Sequence, residues 1–92
     1  MENKPIVVTT EHKGVFFGYG TPTDEKTITI TDARMCVYWD ASVHGVVGLA
    51  GNGPSKNCKI TPKVPSMTLQ DVTCIMDCSE AAAKAWESEP WA

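Results

Sequence analysis

The residues best suited to molecular recognition are concentrated between Asp32 and Ser55. This quarter of the chain contains its one arginine, Arg34, close to Tyr38 and Trp39. It also contains four of the seven glycines and one of the two histidines. Planar cations and aromatic rings are common at binding surfaces, and glycine lets a backbone come close to a ligand. The residue types therefore indicate binding, and spacing decides whether any of them could also catalyse a reaction.

The glycine-rich run from Gly48 to Lys56 resembles a phosphate-binding loop only in part. Gly48 and Gly53 have the separation of the two P-loop glycines, but Pro-Ser follows where the motif needs Lys and Ser or Thr. Proline also removes a backbone donor. The run therefore argues against a nucleoside triphosphatase. Two interpretations remain: amides and Lys56 that hold a phosphate without hydrolysing it, or a helix C-cap and turn, which is favoured.

The cysteines and acidic residues form no recognisable metal or catalytic motif. Cys74 and Cys78 lie four apart, unlike the ligands of a zinc knuckle, and we interpret Cys74 as a small buried hydrophobic residue. No local pattern marks a nucleophile beside a base, and Asp24 and Glu25 resemble solvated turn residues. The sequence therefore predicts no catalytic residue, no metal, no cofactor and no enzyme activity.

Length and charge limit the classes of protein to consider. The 92 residues accommodate one domain, residues 1–92, with one small core. A net charge of −3 argues against non-specific DNA binding and against anionic membranes, since both require a clustered positive field. No apolar run reaches the length of a membrane span, and the first residues are too polar for a signal peptide. We therefore expect a cytoplasmic protein with reduced thiols.

Period-two patterns predict several β-strands. Isoleucine and threonine alternate from residue 26 to residue 31, which is typical of a half-buried antiparallel strand. The segment 32–39 is ambiguous because Asp32 could cap a short helix, but its alternation favours a strand. The predicted strands are 6–10, 14–19, 26–31, 32–39 and 67–77, with a hairpin turn at 11–14 and a loop at 20–25.

Helical patterns follow in the second half of the chain. A short helix is expected over 42–50 and an irregular loop over 51–66, which contains three prolines. Ser79 can cap the strong helix formers that follow it, and Ala82, Ala85 and Trp86 would pack this helix on the sheet. The predicted fold is α+β: a small antiparallel sheet of about four to five strands with a C-terminal helix on one face.

A strand over 32–39 would place Arg34 and Tyr38 on one face and Trp39 on the other. In one interpretation Arg34 forms a surface ion pair and Trp39 belongs to the core. In the other, Arg34 and Tyr38 form a binding face, since Arg and Tyr are common interface anchors. Adjacent Phe16 and Phe17 point to opposite faces, so one of them can be exposed. The predicted partner-binding residues are Arg34, Tyr38, Phe17, Asn52 and Lys56.

Several segments taken together resemble a known family. They are VTTEHKGVFFG at 8–18, DARM at 32–35 with Tyr38-Trp39, the glycine-rich stretch 45–54, and the ending 69–86. These segments resemble small proteins of unknown function encoded by phages and prophages. The resemblance implies an accessory protein that acts against bacterial immunity. The predicted function is a non-enzymatic inhibitor of the anti-CRISPR type, which blocks the protein or guide-RNA surface of a Cas surveillance complex in the host cytoplasm.

Two alternatives remain at this stage. An oligomeric sponge that sequesters a cyclic-nucleotide immune signal would hold phosphates and bases with Arg34, Lys56 and either Trp39 or Tyr38. A phage virion or assembly component would instead be found in purified particles. Oligomeric state separates the first two hypotheses, since sponges commonly bind ligands between subunits and a monomer favours occlusion of a partner.

Overall fold

An antiparallel sheet covered by two helices forms the protein in a computed structural model, which describes residues 3–11, 14–39, 45–54 and 58–88. The elements in chain order are β1 (Lys4–Thr10), β2 (Val15–Gly20), β3 (Ile28–Tyr38), α1 (Gly45–Gly51), β4 (Lys59–Ile60), β5 (Val64–Leu69), β6 (Val72–Asp77) and α2 (Glu80–Ser88). Every strand pair is antiparallel. The α+β prediction is confirmed, and the strand beyond the expected four to five is the two-residue β4.

The sheet order is β4–β3–β2–β1–β6, and β5 also pairs with β3. β5 pairs with the beginning of β3, where Ile28 lies opposite Leu69, and β4 pairs with its end, where Cys36 lies opposite Ile60. Between the two short strands, the Thr61 N–H donates to the Met35 carbonyl at 3.0 Å. β4 and β5 therefore follow one another along a single edge of β3. The predicted irregular loop over 51–66 is wrong for these strand residues.

A two-residue turn shows that the sheet is curled. β5 and β6 lie at opposite ends of the strand order, and in a flat sheet four strand spacings would separate them by about 19 Å. Only Gln70 and Asp71 connect them, and three residue steps span at most about 11 Å. The two edges of the sheet must therefore meet at this turn. The predicted single strand over 67–77 is wrong because Asp71, with φ of 56°, reverses the chain.

The curled sheet carries a hydrophobic cluster on each face. The inner cluster consists of Ile6, Val8, Ile28, Ile30, Ala33 and Leu69. The outer cluster consists of Val7, Val15, Phe17, Cys36, Leu49, Ala50, Cys58, Ile60 and Trp86. Successive residues of β1 alternate between the clusters, as the pleat of a strand requires. Because α1 and α2 contribute only to the outer cluster, burial of the inner cluster comes from the curl.

A β-bulge in β3 breaks its alternation. Phe17 lies opposite Arg34 while Tyr19 lies opposite Thr31, so β3 has one residue more than β2 in this interval. Asp32 takes up the extra residue with φ of 48°, in the left-handed region. Consequently Ile30 belongs to the inner cluster and Cys36 to the outer one, although both are even-numbered. Side chains after Asp32 therefore face the side opposite to the one that unbroken alternation predicts.

The predicted C-terminal helix and its cap are confirmed. The Ala82 N–H donates to Ser79 Oγ at 3.0 Å, and the Ser79 hydroxyl donates to the Gly51 carbonyl at 2.6 Å. Ala82 and Trp86 are completely buried, and the Trp86 ring packs on Phe17 of the sheet. Ser79 therefore starts α2 and also connects it to the end of α1. Among the described residues, no helix is both long and apolar enough to cross a membrane.

Candidate functional site

A groove of about 500 Å³ lies on the outer face of the sheet, beside α1. Its lining residues come from five separate parts of the chain: Thr9, Gly14, Val15, Trp39, Val47, Cys74 and Met76. The volume falls within the range of ordinary ligand and anchor pockets. We refer to this depression as the apolar groove.

The strands supply the floor of the apolar groove. Thr9 lies opposite Cys74 and Val7 lies opposite Met76, so these β1 and β6 residues share the outer face. Val15 extends this floor onto β2. The helix α1 has seven residues, so it reaches only about 10 Å along the sheet.

Val47 and Trp39 form the wall of the apolar groove. Val47 projects from α1 and is 73% exposed, which is unusual for a large aliphatic side chain. Trp39 follows directly after β3 and is partly buried against the outer cluster. The wall therefore places an aromatic ring and an aliphatic side chain beside a largely apolar floor.

The chemistry of the apolar groove is suited to binding. Among the residues that the structure describes, no charged side chain lines it. The polar side-chain groups in this described lining are the hydroxyl of Thr9, which is already hydrogen-bonded to the Thr73 hydroxyl at 2.7 Å, and the thiol of Cys74. Met76 and Trp39 offer a polarisable thioether and a flat ring, which accommodate apolar groups of varied shape. This arrangement can hold an apolar group.

Arg34 lies inside the protein. It is 9% exposed, and its Nη1 donates to the carbonyl oxygen of Trp86 in the last turn of α2 at 2.7 Å. A cation at this position complements the negative end of the helix dipole. Tyr38 is 52% exposed, and the β3–β4 register is irregular between Cys36 and Tyr38. The predicted surface that combines Arg34 and Tyr38 is therefore not present.

The second predicted contact, Phe17, is completely buried. Its ring stacks on that of Trp86, with centroids 5.1 Å apart and an interplanar angle of 7°. It also meets Tyr19 edge to face at 5.5 Å. Phe17 lies directly opposite Arg34 in the sheet, so the structure does bring two predicted contacts together. Both of them contact Trp86 and thus hold α2 on the sheet.

The remaining predicted contacts have different outcomes. Asn52 is exposed just after α1, where its N–H donates to the Gly48 carbonyl at 2.7 Å. Gly53 donates to the same carbonyl at 3.1 Å, so this run forms a helix C-terminal turn, as the favoured interpretation predicted. Lys56 lies outside the described residues, as do His12 and His44.

The four cysteines occupy different environments. Cys36 and Cys58 are buried together in the outer cluster, whereas Cys74 is exposed, so its predicted burial is wrong. Burial, and secondarily the neighbouring Cys58 thiol, raises the pKa of Cys36 to about 12. Burial, and secondarily Asp77, raises the pKa of the Cys78 thiol to about 12. Among the described residues, no three His, Cys, Asp or Glu side chains are grouped as metal ligands would be.

Sequence reasoning missed the apolar groove because three separate patterns converge there. Val47 belongs to an apolar stripe at helical spacing, and such a stripe normally faces the core. The alternation of Cys74 and Met76 predicts one face of a strand but does not indicate what packs against that face. The signal that could have located the groove is the shortness of α1, since seven residues reach only about 10 Å along a sheet.

Comparison with known protein families identifies one match that covers nearly the whole chain. Residues 3–86 match the family model described as a domain of unknown function, DUF6948. Neither the curated proteins nor the solved structures include a significant match. The phage origin that the resemblance implies stays a prediction. The chain belongs to the DUF6948 family.

Proposed function

We propose that this domain is a non-enzymatic protein-interaction module whose apolar groove receives an apolar side chain of its partner. The observation that supports this proposal is the groove itself, in which the exposed Val47 and the Trp39 ring line one depression with apolar residues of the sheet. Pockets of this kind receive the anchor residues that dominate protein–protein binding energies. Removing their apolar surface from water contributes about 25 cal/mol per Å².

A macromolecular partner is favoured because exposed apolar residues continue along the chain from the groove. Val37 is 60% exposed and Tyr38 is 52% exposed, and both directly precede Trp39. Aromatic and other large apolar side chains that are exposed near a groove favour a protein partner, since such residues are enriched at the cores of protein interfaces. A small ligand would need the groove alone and would leave these two side chains unexplained.

The anti-CRISPR hypothesis is the specific form of this proposal. In this form the partner is a Cas surveillance complex, and the domain inhibits bacterial antiviral immunity by steric occlusion. The family resemblance supports it, together with a groove that could anchor the domain on a protein surface. Co-elution of the purified protein with type I or type II complexes is the expected result. Failure to co-elute with any complex of either type would remove this specific form.

A pair of valine substitutions tests the groove itself. Val47→Glu places a charge in the apolar groove at an exposed helix position, so folding should be retained. Val64→Glu makes the same chemical change on β5, at a side chain that is 38% exposed and does not line the groove. We expect Val47→Glu to weaken binding of the anionic apolar dye anilinonaphthalene sulfonate at least tenfold, measured by fluorescence titration. Equal dye binding by the two folded variants would contradict the proposal.

A further inference from the structure

The edge strand β6 borders the apolar groove, and its outer backbone edge is occupied at Val72, whose N–H donates to the Lys26 carbonyl at 2.9 Å. The part of this edge that concerns us runs from Ile75 to Asp77. Among the described residues, β6 pairs only with β1. The opposite edge of the sheet, formed by β4 and β5, contains Pro62 and Pro65, and proline is a common means of protecting an edge from further pairing. β6 contains no proline.

The hydrogen-bond pattern shows which groups of β6 point outward. The Cys78 N–H donates to the Pro5 carbonyl at 3.0 Å, so this opposed pair is hydrogen-bonded. Opposed pairs alternate along an antiparallel ladder, so Met76 and Cys74 bond to β1, and the amides and carbonyls of Ile75 and Asp77 point away from it. The Thr10 N–H donates to the Gly14 carbonyl at 3.1 Å, so Thr10 and every second residue before it in β1 hydrogen-bond to β2. The residues between them hydrogen-bond to β6, in agreement with this alternation.

The two faces of β6 border depressions of different chemistry. Met76 lines the apolar groove, whereas Ile75, which points to the opposite face, lines a cleft of about 390 Å³ between β6 and residues 22–26. Cys74 lines both depressions, so they meet at this residue. An adjoining depression of about 260 Å³ extends this cleft. Four carboxylate residues and one lysine line the two together: Glu11, Asp24, Glu25, Asp71 and Lys26. We refer to them jointly as the acidic cleft.

We propose that β6 binds an extended segment of a partner protein by strand addition, and that this segment alternates large apolar with basic residues. The proposal rests on the binding function proposed above and specifies the chemistry of the partner. An added strand would hydrogen-bond to the backbones of Ile75 and Asp77. Its side chains would point alternately to the two faces, so apolar residues would enter the apolar groove and Lys or Arg the acidic cleft. Charge complementarity with the acidic cleft selects basic residues at the alternate positions.

A peptide titration tests the alternation. The probe is a capped eight-residue peptide in which leucine alternates with lysine. One control peptide has the same composition in two blocks, and another alternates leucine with glutamate. In NMR spectra of the ¹⁵N-labelled protein, we expect the alternating leucine–lysine peptide to shift the amides of Ile75 and Asp77 and the Trp39 indole. The control peptides should bind at least tenfold more weakly, and equal affinity for all three would overturn the proposal.

A proline substitution tests the backbone contact. Asp77→Pro removes an outward-pointing N–H at an exposed edge position, where proline is tolerated. Asp77→Asn is the matched control, since it loses the same 3.1 Å ion pair to Lys4 but keeps the N–H. We expect peptide affinity to fall at least tenfold for Asp77→Pro and to stay within about twofold of wild type for Asp77→Asn. If the two variants bind equally, strand addition is wrong.

Three further measurements complete the test, and the first two do not depend on the fold of Asp77→Pro. Peptides that are N-methylated either at all leucines or at all lysines should differ in affinity, since only one set of amides faces β6; equal affinity would overturn strand addition. If peptides shift the Trp39 indole but not the Ile75 and Asp77 amides, the proposed groove function stands and strand addition fails. Dimerisation in sedimentation equilibrium that Asp77→Pro abolishes would assign the edge to a second copy and overturn the partner segment.

Discussion

Arg34 illustrates how the surroundings of one residue decide its role. Its guanidinium would be a strong interface anchor at the surface, but β3 directs it beneath α2, where it donates to the Trp86 carbonyl. Trp86 is held at its other end too, since its indole N–H donates to the Leu49 carbonyl at 3.1 Å. Arg34 therefore stabilises the docked helix, and the accessible aromatic residues nearby are Tyr38 and Trp39.

Substitution at Arg34 should consequently reduce stability. Arg34→Met keeps the aliphatic length but loses the charged hydrogen bond to α2, and we expect the free energy of unfolding to fall by about 1.5–3 kcal/mol. Tyr38→Ala, at an exposed side chain, should change it by less than about 0.5 kcal/mol. Urea denaturation followed by tryptophan fluorescence measures both. Unchanged stability of Arg34→Met would contradict the conclusion that Arg34 stabilises the docked helix.

The buried thiols should make stability depend on alkaline pH. The pKa of Cys36 and that of Cys78 are raised to about 12, whereas a cysteine in the unfolded chain titrates near about 8.5. Between these values the folded protein retains protons that the unfolded chain loses, so stability is complete below about pH 8 and falls as the pH rises. Urea midpoints between pH 7 and pH 10.5 should show this decrease. Cys36→Ala and Cys78→Ala should each reduce the slope, and a slope that neither variant changes would contradict this origin.

At the scale of elements, the ends of the two helices depend on each other. The backbone N–H of Ser79 donates to the Ala50 carbonyl at 3.1 Å, and its hydroxyl donates to the Gly51 carbonyl while accepting from Ala82. α1 has seven residues, which is too short for an independently stable helix. Its position, and with it the position of Val47 over the groove, is therefore held by the start of α2.

Removing the Ser79 hydroxyl should weaken both helices. We expect Ser79→Ala to lower the free energy of unfolding by about 1–2 kcal/mol, the usual cost of losing an N-cap. Ser66→Ala, on the exposed face of β5, is the matched control and should cost less than about 0.5 kcal/mol. Amide hydrogen exchange should also be faster in α1 of the Ser79 variant. If α1 exchanges at the wild-type rate, Ser79 acts on α2 alone.

Local patterns predicted most of these elements, and the exceptions have physical causes. The helix α2 and its cap at Ser79 were predicted because the capping residue, the helix propensities and the apolar spacing all indicate a helix there. The split of 67–77 was missed because Gln70-Asp71 contains no glycine or proline to mark a turn, although the apolar alternation changes there from odd to even positions, between Leu69 and Val72. The position of Arg34 was missed because an inserted residue at Asp32 reverses the faces of β3, and a bulge leaves no sign in residue type when the left-handed residue is not glycine.

At the scale of the whole molecule, the curl depends on close packing between neighbouring strands. A Cβ added at Gly18 would lie 2.8 Å from Ile30 Cδ1, in the inner cluster. Ile30 is itself completely buried, so it has little room to move. The close approach of Gly18 to Ile30 therefore favours glycine at this position, since a larger residue would displace a side chain of the inner cluster.

Two alanine substitutions compare this close approach with an open position. Gly18→Ala should destabilise the protein by about 1–3 kcal/mol through overpacking against Ile30. Gly51→Ala, at the end of α1, places a methyl group where nothing lies within 4 Å, and it should be neutral or stabilising by up to about 1 kcal/mol. Thermal unfolding by circular dichroism measures both. Equal effects of the two substitutions would show that the inner cluster tolerates the extra methyl group.

The turn at Gln70 and Asp71 also has a consequence for biosynthesis. It joins the two edges of the sheet, and β6 pairs with β1, the first strand of the fold in chain order. The helix that buries the outer cluster follows β6 in the chain. Because β1 and β6 are far apart in sequence, the sheet cannot close around the inner cluster while only the first strands have been synthesised. The nascent chain therefore keeps the free edge of β1 exposed until β6 has left the ribosome.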